Sequence, residues 1–90
     1  MCTTIATTAA VAGSAKGANG WFHVDTVFLG YDHPYHAQVE HAVSIDFVNE
    51  AANSRLAVEL TRESARELLR QLHAVVDEAD AYENAPAEQS

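Results

Sequence analysis

The chain has little cysteine, little proline and little positive charge: one Cys, two Pro, and five Lys and Arg together. Each scarcity excludes something. The single thiol, Cys2, cannot close an intramolecular disulfide, so no disulfide scaffold holds the fold and a reducing compartment is no obstacle. No apolar run is long enough for a secretory signal or a membrane span. The expected location is therefore the cytoplasm. Five basic residues stand against thirteen acidic ones, for a formal charge of −8, so a nucleic-acid backbone or an anionic membrane face would repel the chain. Much of that charge gathers late, at Asp77, Glu78, Asp80, Glu83 and Glu88.

Large apolar side chains are also scarcer than the 48% hydrophobic fraction suggests, because 17 of the 90 residues are alanine. A chain of this length buries only a little over ~60% of its unfolded surface. The core will be thin, and a second copy would enlarge it; a homodimer is expected.

What is present is patterned. "CTTIATTA" (residues 2–9) has the composition of an edge strand, and "AGSAKGANG" (12–20), with three glycines, reads as a loop. "WFHVDTVFLG" (21–30) and "VEHAVSIDFVNE" (39–50) are strands, the second alternating cleanly, and "RLAVEL" (55–60) is a further strand after a turn at "ANS". From Thr61, a plausible N-cap, the period changes. Ala65, Leu68, Leu69, Leu72, Val75, Val76 and Ala79 recur at the three-and-four spacing of an amphipathic helix. No glycine closes it, and acidic residues oppose its dipole, so fraying is expected near Ala81. The fold class expected is α+β, an antiparallel four-stranded sheet with one C-terminal helix packed on one face. Residues 1–81 form the single domain and 82–90 a disordered acidic tail.

Chemistry concentrates in "GYDHPYHAQVEH" (30–41), which holds three of the five histidines. His33, His36 and His41 are candidate metal ligands, since imidazole suits zinc, copper, nickel and iron. Asp32 or Glu40 would be a fourth ligand or general base, and Tyr31 would donate to a developing oxyanion. The spacing H-x2-H-x4-H is not specific, and a polar hairpin loop explains the same residues. His23 and His73 read as structural. Removal of Met1 would expose Cys2 as an amine–thiolate pair, though a small residue opening a strand is the plainer reading.

If the hairpin pairs symmetrically about Tyr35, paired residue numbers sum to about 70 and Val27 faces Val43. Both faces of that hairpin are apolar, and one helix covers one face. The dimer is therefore expected through the face away from the helix. A metal-free alternative places a ligand pocket among Trp21, Phe22, Phe28, Asp46 and Phe47.

The segments "AGSAKG", "GWF", "GYDHP" and "IDFVNE", followed by "AVELTRESARELL", resemble a small family of uncharacterised single-domain proteins found in actinobacteria. The resemblance spans Cys2 to about Val76. It implies a compact bacterial domain, one that could be encoded beside biosynthetic genes, and it carries no activity and no catalytic residue.

Three functional expectations follow. The leading one is a small metal-binding protein, extending to a metal-dependent enzyme on a small molecule. The second is a metal-free small-molecule-binding or cyclase/isomerase-type module. The third is a non-catalytic dimeric accessory protein.

Overall fold

A computed structural model of the protein describes residues 5–34 and 39–85. They form β1 (Ile5–Gly17), β2 (Gly20–Asp32), β3 (Ala42–Asn49), β4 (Ser54–Leu60) and α1 (Arg62–Glu83). The strands make one antiparallel sheet in the order β1-β2-β3-β4, so the architecture is α+β. Cys2 and residues 86–90 of the expected tail lie outside the described residues.

The alternation seen in the sequence becomes two faces. Ile5, Tyr31, Val43 and Leu60 form one row straight across the sheet, and Thr7, Leu29, Ile45 and Val58 form the next. The opposite face carries Phe28, Ser44, Asp46 and Glu59, with Arg55 bound to Asp46 at 2.6 Å. Paired numbers across β2 and β3 sum to 74, not 70: Val27 meets Phe47, and Leu29 meets Ile45. A shift of four is even, so every side chain keeps its face and only its neighbour changes.

The stretch expected to be a loop over residues 12–20 is mostly strand. β1 runs to Gly17, and only Ala18 and Asn19 turn. Gly17 lies beside the Phe22 ring, where an added Cβ would sit 3.4 Å from it, so a small residue here leaves room for a cross-strand aromatic. Gly20, at φ 111°, takes a backbone conformation that side chains disfavour. Between Ala10 and Gly13 the register slips by one residue, a β-bulge. Beyond it the β1–β2 hairpin outruns β3, and the sheet curls enough to bring its outer strands, β1 and β4, near each other. Val24, 3% exposed, is buried on β2.

α1 starts as expected. Thr61 caps it, its hydroxyl accepting from the Ser64 amide at 3.1 Å. It runs two residues past Ala81 and ends at Asn84, whose amide donates to the Asp80 carbonyl at 3.0 Å. The helix reaches the sheet chiefly at β3 and β4, on the face of Val43 and Ile45. None of its residues is buried: Leu69 is 66% exposed and Val75 61%.

The helix side of the sheet is consequently open, with Leu68, Leu69, Leu72, Val75 and Val76 all exposed. Among the described residues only Val24, Val27 and Ala42 form a buried apolar core.

Candidate functional site

The true register explains where the histidines meet. Asp32 pairs with Ala42, so one step outward His33 stands across from His41. Their rings stack at 4.6 Å between centroids, and Tyr31, two residues back on the same face, stacks on His41 at 5.5 Å. The His33 Nδ1 lies 3.1 Å from the Glu40 carbonyl oxygen and donates to it when that nitrogen carries the proton. That bond holds the ring and leaves Nε2 as the nitrogen open to a ligand. His36 lies outside the described residues. Among the described residues, no three metal-ligating side chains gather around one point.

Asp32, the last residue of β2, lies on the face of Ala42 and Ser44. Asp32 is engaged locally: its Oδ1 accepts from the His33 amide at 2.7 Å. Glu40 meets His33 through its backbone carbonyl, not its carboxylate. Among the described residues, Tyr31, His41 and His33 come together as a stack of rings.

On the reverse face lies a polar hollow of about 170 Å³, lined by Asp32, His33, Pro34, Ala42, Ser44 and Glu59. Ser44 and Glu59 were not singled out from the sequence. They are cross-strand partners, and the register that unites them with Asp32 was the missing signal. Gly30 keeps space here, since a Cβ would lie 3.2 Å from the Ser44 hydroxyl and 3.0 Å from the Ile5 carbonyl oxygen.

The five residues expected to line an aromatic pocket do not share a wall. Phe22, Phe28 and Asp46 belong to one face of the sheet, Trp21 and Phe47 to the other. Trp21 and Phe22 instead border a hollow of about 430 Å³ at the hairpin tip, with Asn53 and Arg55. Asp46 is neutralised by Arg55.

The most apolar concavity is an open cleft of about 470 Å³ between α1 and the sheet. Ile5, Leu29, Val43 and Ile45 form its floor, and Ala65, Leu68, Leu69 and Leu72 its wall. Tyr31 stands at one end and joins the cleft to the histidine stack.

A family model described as a family of unknown function, DUF6295, matches residues 1–85. The chain belongs to that family. No curated protein and no solved structure matches it. Membership agrees with a single domain spanning sheet and helix, and it attaches no activity to the residues above. Among the described residues no helix is long and apolar enough to cross a membrane.

Proposed function

We propose that this member of DUF6295 is a homodimeric accessory protein of the cytoplasm, acting by association rather than by catalysis. One observation carries the reading: the apolar stripe of α1, through Leu68, Leu69, Leu72, Val75 and Val76, is exposed along its length beside an open apolar cleft against the sheet. A continuous apolar surface of this kind marks a site of association. The surface to be covered is on the helix side of the sheet. The reverse face, through which the sequence suggested pairing, bears the Arg55–Asp46 ion pair, Ser44 and Glu59.

Thermal unfolding across a 100-fold range of protein concentration tests this. A dimer that dissociates as it unfolds gains about 2.7 kcal/mol over that range, which should raise Tm by roughly 5–10 °C. A Tm independent of concentration would count against it.

A second reading, a divalent transition metal held at the loop, is favoured by the His33–His41 contact and the Nδ1 bond to Glu40. These two imidazoles would supply donors of the kind that zinc, copper, nickel or iron prefers. Elemental analysis of untagged protein beside a His33→Ala/His41→Ala variant decides it. Near-stoichiometric metal lost in the variant supports the site; no metal in either removes it.

A further inference from the structure

We propose that the cleft between α1 and the sheet is occupied by α1 of a second copy, running antiparallel to the first, each helix lying in the other's cleft. The inference rests on the homodimer reading and adds the surface and the orientation. Three observations carry it.

The first is length. Twenty-two residues make a helix of about 33 Å. Its wall of the cleft ends at Leu72, yet the apolar stripe continues through Val75 and Val76, both exposed. The second half of the stripe therefore needs a surface that its own chain does not supply. The second observation is exposure: the cleft's own wall is uncovered, with Leu68, Leu69 and Leu72 all exposed beside it.

The third is charge. At 100° per residue, Arg62, Arg66, Asp77 and Asp80 fall on the same flank of the stripe, basic residues in the first half and acidic ones in the second. A hollow of about 350 Å³ follows this flank past Arg66, Leu69, Arg70 and His73. In a two-fold antiparallel pair, like flanks meet in opposite directions. Arg66 then faces the partner's Asp80, and the partner's Arg66 faces Asp80. A parallel pair would bring opposite flanks together and set this one against the partner's Glu67, Gln71 and Glu78 flank, without the reciprocal match. With a chain of net charge −8, this stripe of arginines is the natural counterpart for another copy's acidic helix end.

The test is a charge swap on the full chain, with mass by light scattering and Kd by sedimentation equilibrium at low salt. Both positions lie on an exposed helix surface, so circular dichroism should show the fold retained. Arg66→Glu and Asp80→Arg should each raise the dimer Kd roughly 5–10-fold, because each breaks two symmetric pairs. The double variant Arg66→Glu/Asp80→Arg should return Kd to within about 2-fold of the starting protein. A dimer whose Kd ignores both single changes, or in which the double variant shows the sum of the two losses, overturns the antiparallel helix pairing and leaves a dimer through another surface. A starting protein of single-chain mass throughout the micromolar range overturns the homodimer reading and this inference with it.

Discussion

At the scale of single residues, the structure makes distinctions between positions of the same type. Gly30 and Gly13 are both strand glycines, but a Cβ at Gly30 would press on the Ile5 carbonyl and the Ser44 hydroxyl, whereas one at Gly13 would meet open space. Gly30→Ala should therefore cost about 1–3 kcal/mol in chemical denaturation. Gly13→Ala should change stability by less than about 0.5 kcal/mol. Equal effects at both would contradict the close approach at Gly30. Glu67 offers a second distinction. The Gln71 amide, first, and the Arg70 guanidinium hold its carboxyl below the usual carboxylate range. A depressed folded value means that any stabilisation is present above the unfolded value and fades as pH falls through the folded one. An NMR titration should show the Glu67 midpoint rising when Gln71→Ala removes the larger contribution; an unmoved midpoint would refute that attribution.

At the scale of elements, periodicity made most of the fold legible. β2, β3, β4 and α1 were readable because alternation and the three-and-four spacing reflect burial on one side. Thr61 was readable as a cap from its type and position alone, and Thr61→Ala should lower stability by about 1 kcal/mol by leaving the Ser64 amide without its partner. Retained stability in that variant, measured by urea unfolding, would show the cap bond to be dispensable. The second half of β1 was not legible. Glycine and serine in residues 12–17 ordinarily signal a loop, and only the cross-strand neighbours Phe22 and Trp21 explain why small residues are accommodated in a strand there. Register was the other hidden quantity. Local pattern fixes parity, not offset, so faces were assigned correctly while His41 was set against Leu29 instead of His33. The candidate site was legible as a composition, three histidines in one segment, but the stack of His33, His41 and Tyr31 depends on a pairing that composition does not encode.

At the scale of the whole molecule, the sheet and helix look like part of a larger core. A side chain such as Leu69, two-thirds exposed on the single chain, should be nearly indifferent to truncation if the protein works as a monomer. In the proposed dimer it is interior, and Leu69→Ala should cost about 2 kcal/mol or more. Thermal or urea unfolding at fixed protein concentration separates the two. The same contrast accounts for the thin core, since Val24, Val27 and Ala42, the buried apolar side chains among the described residues, cannot by themselves balance the entropy of ordering the sheet and helix. The most direct measurement is the mass of the untagged protein in solution by multi-angle light scattering at about 10 µM, well above the dissociation constant expected of an obligate interface. The account predicts twice the 9.7 kDa of the chain. A folded, cooperatively unfolding species of single-chain mass would contradict it.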